Sequence, residues 1–186
     1  LAVNEFYILG YWNRPLESSE QWTDNTTYRQ QNRAAGSGGS VLDGTMTGSM
    51  WEVYSLWQQD YKLISRANTL LENIHRAEEN GVNPAAIKRF KAEAYFARAC
   101  KYAELLFFFG DLPYMDKYMT ISEAEAIGRK PKDEIIPLVY DDFDDFMEKN
   151  PGARLYMATT KAKNVYTHVH YDENAYIMFG KESAGI

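Results

Sequence analysis

The chain has 186 residues, 45% of them hydrophobic and 15% aromatic, which is enough for one domain with a substantial core. Its formal net charge is −6 and its isoelectric point is about 5.1. This acidity argues against nucleic acid as a partner and against a basic membrane-surface helix, because both need clustered lysine and arginine. The chain's one cysteine excludes an intramolecular disulfide.

Residues 1–14 predict a short amphipathic helix, which is broken by Gly10 or by Pro15. The stretch 15–49 has no hydrophobic period and contains a Gly/Ser-rich run at 34–40. An aperiodic stretch of this length inside a compact domain is often functional.

Aromatic rings set among amides and hydroxyls can stack on a sugar face while they hydrogen-bond to its hydroxyls. The ordinary alternative is a surface loop that is anchored by its aromatic rings. On side-chain chemistry and loop position, the candidate ligand-binding residues are Trp12, Trp22, Asn25 and Tyr28.

Two long helices are predicted next, over 50–75 and from Pro84 to about Phe109. Asn83 and Pro84 are typical of an N-cap and a first helical residue, and Gly110 is typical of the residue after a helix. Because the connection is short, the two helices over 50–109 form an antiparallel hairpin.

The second helix carries alanines and aromatic rings on one face and charged residues on the other. The charged set is Glu93, Arg98, Lys101 and Glu104. Arg66 on the first helix and Glu93 on the second lie at about the same distance from the turn, so we expect them to pair across the helix interface. Loss of one partner would strand a charge at this interface.

A third helix is predicted over 133–149, with Asp133 as its N-cap. Its acidic residues form one stripe at helical spacing: Asp141, Asp144, Asp145 and Glu148. Such a stripe is usually a solvated face, and the alternative is a cation site or general acid/base work.

The segment 150–186 is predicted to be an irregular tail with one short helix over 153–165. His168 and His170 would share one face of a strand, with Asp172 next along it, which makes a possible metal trio. Short His-x-His runs are common by chance, and the sequence offers no second ligand cluster, so no metal ligand and no cofactor is assigned.

Three segments in this order resemble the SusD/RagB family of outer-membrane nutrient-binding lipoproteins. The first runs from Trp51 through Ile64-Ser-Arg-Ala-Asn-Thr-Leu-Leu-Glu-Asn-Ile74. The second is Lys91-Ala-Glu-Ala-Tyr-Phe-Ala-Arg-Ala99 with its Phe109-Gly-Asp-Leu-Pro113 ending. The third is similar to the helix that follows in the family and spans 129–143.

The resemblance implies an all-α fold of antiparallel, tetratricopeptide-like helix pairs with long irregular loops. It implies cell-surface glycan capture, or peptide capture in some members, and delivery to a SusC-like TonB-dependent transporter. It also implies a lipid anchor upstream of Leu1 and the extracellular face of the outer membrane of a Bacteroides-type bacterium. Glu93, Arg98 and Asp111 then become scaffold positions, at which the two charges lock helix pairs together and Asp111 lies in the turn toward the next pair.

The chain is shorter than members of that family, so 1–186 is expected to be a single N-terminal domain fragment. The second helix pair is incomplete after residue 150, which predicts an abridged chain or pieces joined near 151–163. The rival interpretations are a tetratricopeptide-like adaptor that binds protein or peptide without sugar, and a helical glycoside hydrolase. The hydrolase needs two carboxylates that face each other across a cleft, which this pattern does not offer, so no catalytic residue is assigned.

Overall fold

The computed structural model describes residues 3, 4, 6, 47–49, 51–152, 154–158, 168–171 and 175–179. Within these ranges the chain forms five helices and two strands. The helices are α1 (Trp51–Asn73), α2 (His75–Glu79), α3 (Pro84–Phe109), α4 (Ile121–Ala126) and α5 (Lys132–Lys149). The strands are β1 (Arg154–Ala158) and β2 (Ala175–Phe179).

Helix α3 is the centre of the fold, because α1 packs on one side of it and α5 on the other. This arrangement confirms the predicted helical fold and the hairpin of two long helices, with the short α2 inside the connection. One apolar cluster joins α1, α3 and α5, and its buried members are Ile64, Ala99, Tyr102, Leu105, Leu112, Ile135 and Val139. A second cluster packs the N-terminal Phe6 against α1 and α3 through Leu63, Ala67, Ala94 and Ala97.

The ends of α3 are those that the sequence predicts. The side chain of Asn83 accepts a hydrogen bond from the backbone N–H of Ala85 at 2.8 Å, and Pro84 is the first helical residue. At the other end Gly110 has a φ of 69°, a conformation that an L side chain rarely adopts. Local sequence therefore sets both boundaries of the central helix.

The expected division of α3 into an apolar and a polar face is wrong as a guide to burial. Glu93, Arg98 and Lys101, which the spacing places opposite the alanines, are all buried. The reason is tertiary: Arg98 contacts Asn68 of α1 and Asp142 of α5, and Lys101 contacts Asp60 of α1, so the charged side of the helix lies against both neighbours.

The start of α5 also differs from the prediction. Pro131 occupies the N-cap position without a side-chain hydrogen bond, and Asp133 lies in the first turn. The cap comes from elsewhere in the chain, because Oδ1 of Asp111 accepts a hydrogen bond from the backbone N–H of Lys132 at 2.9 Å. The end of α3 is thus tied directly to the beginning of α5.

The tail is wrongly predicted in two places. Arg154–Ala158 forms β1 rather than part of a helix, and it pairs in parallel with β2, with Arg154 opposite Ala175. His168 and His170 lie outside both strands and are exposed, so they do not share a strand face. A partner strand decides β1, and its position could not be read from local spacing.

Candidate functional site

The most strongly connected residue at the centre of the fold is Arg98 of α3. Its Nε and Nη2 donate to the two carboxylate oxygens of Asp142 on α5, at 2.8 and 2.6 Å. Its Nη1 donates to Oδ1 of Asn68 on α1 at 2.7 Å and to the carbonyl oxygen of Asp116 at 2.8 Å. All three side chains of this group, the Arg98 cluster, are buried, and together they join α1, α3 and α5.

The Arg98 cluster also holds the segment 113–117, which has no regular structure of its own. The amide nitrogen of Asn68 donates to the carbonyl oxygens of Met115 and Lys117 at 2.9 and 3.0 Å. The Tyr102 hydroxyl donates to the Met115 carbonyl at 3.1 Å and accepts from the Met115 N–H at 2.7 Å. Side chains therefore supply the hydrogen bonds that a helix or sheet would otherwise give this backbone.

Burial dominates the electrostatics of the cluster. It raises the pKa of the Asp142 carboxyl, while the hydrogen bonds and charge of Arg98 oppose the rise. Burial lowers the pKa of Arg98, but the hydrogen bonds and charge of Asp142 outweigh it and leave that pKa raised. The ion pair is therefore a balance between desolvation and attraction, and neither charge is tolerated in this interface without the other.

A second buried charge lies about one turn further along α3, at Lys101. The ammonium group of Lys101 is 3.0 Å from a carboxylate oxygen of Asp60 on α1 and 2.7 Å from one of Glu104. Asp60 and Lys101 are both buried. This ion pair adds an electrostatic link between α1 and α3 to their apolar packing.

The surface with binding chemistry lies where the first turns of α1 meet the last turn of α3. Trp57 contacts Tyr61 and Phe109, with ring centroids 4.8 and 5.0 Å away, and the Arg129 guanidinium lies 5.5 Å from the Trp57 ring centroid. Tyr54, Phe107 and Phe108 are 50%, 66% and 42% exposed at the same end of the hairpin. We call this set the aromatic end: Tyr54, Trp57, Phe107, Phe108, Phe109 and Arg129.

The aromatic end presents exposed rings and a guanidinium, which are the groups that stack on and hydrogen-bond to a sugar. The candidate ligand residues Trp12, Trp22, Asn25 and Tyr28 lie outside the described residues, and their role stays a prediction.

The scaffold residues named from the sequence fall at helix contacts. Arg89 donates to the carboxylate of Glu93 at 2.7 Å within α3, and the pairing of Glu93 with Arg66 stays a prediction. Asp111 caps α5. In the acidic stripe, Asp145 is bonded to Lys149.

Sequence reasoning missed Asp142 and Asn68, the partners of Arg98. The signal for Asp142 was its spacing, since it falls on the same side of α5 as the buried Ile135, Val139 and Phe146. A carboxylate on the inward face of a helix indicates a buried cationic partner. Asn68 gave no such signal, because an asparagine in a helix is usually solvated.

In the ranges that the structure describes, no group of three or more His, Cys, Asp or Glu side chains is placed to hold a metal ion. Among the described helices, none is long and apolar enough to cross a bilayer.

Comparison with known proteins places residues 5–149 in a SusD-like family whose description is "Starch-binding associating with outer membrane". A SusD-like protein, P2, from Formosa agariphila is 37% identical over 98 residues, which are 51% of this chain and 18% of that protein. The chain therefore spans less than a fifth of this relative's length. A putative tRNA (cytidine(34)-2′-O)-methyltransferase from Listeria innocua is 40% identical over 50 residues, which are 25% of this chain and 30% of that protein.

Among solved structures, a SusD-like protein from Bacteroides fragilis superposes with a TM-score of 0.66 at 19% identity. The alignment covers 82% of this chain and 29% of the other. At this identity the likeness concerns the fold, and it agrees with the helix arrangement described above. Because the family model covers most of the chain, and the helices and the Arg98 cluster lie almost entirely within it, the chain belongs to the SusD-like family.

Proposed function

We propose that this protein binds glycans at the cell surface and delivers them to a SusC-like TonB-dependent transporter. The observation that carries the proposal is the match of residues 5–149 to a family described as starch-binding and associated with the outer membrane. The aromatic end supports it, because Tyr54 and Phe107 are exposed there and the guanidinium of Arg129 lies over the ring of Trp57.

The proposal includes a position on the extracellular face, held by a lipid anchor upstream of Leu1, and no catalytic step. In this role the Arg98 cluster is scaffold. It fixes α1, α3 and α5 relative to one another, and so keeps the aromatic end in one shape. A preformed surface loses less entropy when it binds a ligand than a surface that must first become ordered.

Calorimetric titration of the chain with α-glucan oligosaccharides tests the proposal. Binding should be lost in Trp22→Ala and retained in Tyr118→Ala, which is a matched change at an exposed ring on another part of the surface. This result would support the stretch 15–49 as the site. Loss in Phe107→Ala and Arg129→Ala would extend the site to the aromatic end. A folded protein that binds no glycan but captures peptide would favour the adaptor interpretation.

A second candidate function concerns only the C-terminal residues. The strands β1 and β2 are parallel, and parallel pairs need a crossover connection of the kind found in α/β proteins. This topology is foreign to a scaffold of helix pairs. We infer from it that the tail derives from part of an α/β domain. A putative tRNA methyltransferase is 40% identical over 50 residues of this chain.

The chain spans 30% of that methyltransferase, so we expect no methyl transfer to tRNA from this chain alone. The test is to disrupt the strand pair with Ile177→Pro, because proline removes a ladder donor from a strand. We expect glycan affinity to be unchanged. A loss of glycan binding would show that the tail belongs to the binding domain.

A further inference from the structure

The segment 113–117 lies against α1 and α3 as a bound peptide lies against a receptor. It has no regular structure, and four helical side chains hold it through hydrogen bonds to its backbone. These four residues are Tyr61 and Asn68 of α1 and Arg98 and Tyr102 of α3, and we call them the strap site. We call the segment 113–117 the strap.

The strap site recognises backbone atoms. The Tyr61 hydroxyl donates to the carbonyl oxygen of Pro113 at 2.7 Å. The carbonyl oxygens of Met115, Asp116 and Lys117 accept from the other members of the site, while the side chains of Asp116 and Lys117 are exposed. Main-chain hydrogen bonds give this kind of peptide recognition its affinity and leave most side chains free to vary.

One side chain of the strap packs into the fold. The ring centroid of Tyr114 is 4.8 Å from that of Tyr102, and the ring lies against the apolar cluster that joins α1, α3 and α5. The ammonium group of Lys130 is 5.5 Å from the same ring centroid. The contacts therefore select a non-helical peptide that has an aromatic residue followed by backbone groups free to hydrogen-bond.

The chain beyond the strap is loosely attached. It leads into α4, none of whose residues is buried, and Tyr118 and Ile121 are 50% and 79% exposed. Reciprocal backbone hydrogen bonds between Leu112 and Lys130, of 3.1 and 2.7 Å, close the loop at its base. The strap can thus lift while this base stays closed, because segments with few buried contacts open locally before the whole domain unfolds.

We propose that the strap site is a peptide-binding site and that the strap is an autoinhibitory segment, which occupies this site in cis. In trans the site would take a peptide with an aromatic residue at the position of Tyr114 and an unmodified backbone amide after it. Because the strap is tethered beside the site, its effective concentration is high, and a peptide binds only when the strap is open. The proposal does not rest on glycan binding.

Hydrogen exchange in the parent protein, followed by nuclear magnetic resonance, tests whether the strap opens by itself. The N–H of Met115 should exchange at least about tenfold faster than the N–H of Ala99 at the buried centre of α3, because its opening is local. Exchange of the Met115 N–H at the rate of Ala99 would overturn the proposal, since the strap would then be an inseparable part of the fold. This measurement does not depend on the folding of a variant.

The probe for binding is the acetylated and amidated peptide Pro-Tyr-Met-Asp-Lys, titrated into isotope-labelled protein. Two variants release the strap by different routes: Met115→Pro removes the N–H that donates to Tyr102, and Tyr114→Gly removes the packed ring. Each released variant should bind the peptide at least about tenfold more tightly than the parent does, because its site is open more often. Tyr118→Gly, a matched change at an exposed ring beyond the strap, should bind it like the parent.

Two modified peptides separate backbone recognition from side-chain recognition. N-methylation of the methionine amide removes the donor to Tyr102 and should weaken binding at least about tenfold. Alanine in place of methionine, aspartate and lysine should change the affinity by less than about threefold, because the site contacts the backbone there.

Three results of these titrations would overturn the proposal. The first is that neither released variant binds the peptide although both keep the helical circular dichroism of the parent. The second is that the parent binds the peptide as tightly as the released variants, because the strap would then not block the site. The third is equal affinity for the N-methylated peptide.

Discussion

Arg98 of α3 and Asp142 of α5 form a buried ion pair through two parallel hydrogen bonds of 2.8 and 2.6 Å. The pair joins two helices through residues that are 44 positions apart in the chain. Since the fourth hydrogen bond of Arg98 reaches the backbone at Asp116, the same guanidinium also fixes the connection between those helices. One side chain thus organises three elements and the segment 113–117.

The first prediction concerns this pair. Arg98→Met or Asp142→Leu alone should lower the free energy of unfolding by about 3–5 kcal/mol, because each leaves one charge buried without its partner. The double variant should lose much less unfolding free energy than the two single variants lose in sum. Urea unfolding of the four proteins measures the coupling directly, and additive losses would show that the two side chains act independently.

The second prediction concerns the hydroxyl of Tyr102, which bonds to both the N–H and the carbonyl of Met115. Tyr102→Phe keeps the ring and removes both bonds, so we expect a loss of about 1–3 kcal/mol in the free energy of unfolding. Tyr118→Phe is the control, because an exposed tyrosine should change stability by less than about 0.5 kcal/mol. If both substitutions have the same small effect, the hydroxyl is not what holds the segment.

The third prediction is a loss of stability at alkaline pH. Burial raises the pKa of Tyr114 to about 12, from an ordinary value of 10.0, and raises those of Tyr61 and Tyr102 further. A raised pKa in the folded state means that the protonated phenols contribute stability that is fully present below about pH 10. This contribution is lost as pH rises from 10 toward and beyond 12.

Spectroscopic titration of tyrosinate is the measurement for this third prediction. Tyr61, Tyr102 and Tyr114 should ionise only together with unfolding. Replacing Tyr114 by Phe should remove the contribution of Tyr114 to the tyrosinate signal that appears with unfolding. Ionisation of all tyrosines in one step near pH 10, with the helical signal retained, would contradict the burial described.

The fourth prediction concerns the cap of α5. Asp111→Ala should lower stability by about 1 kcal/mol, because it removes the hydrogen bond to the backbone N–H of Lys132. Asp133→Ala is the matched control in the first turn of the same helix and should have a smaller effect. Thermal unfolding measures both losses. If Asp133→Ala lowers stability more than Asp111→Ala does, Asp133 is the cap.

The sequence by itself determined the local features of the fold. Asn83, Pro84 and Gly110 fix the ends of α3 through backbone conformation and nearby hydrogen bonds, and apolar spacing of 3.6 residues gives the long helices. These are short-range effects, so a single sequence contains them. The family resemblance rests on the same segments.

Tertiary structure alone decided what those helices bury. The charged side of α3 is buried because Arg98 contacts Asp142 of α5, 44 positions away in the chain, and Lys101 contacts Asp60 of α1. Asp111 caps a helix that begins 21 residues later, and β1 is a strand because β2 lies beside it. Each of these features depends on a partner that is distant in the chain. The free energy of desolvation and pairing selects that partner, and local spacing does not encode this free energy.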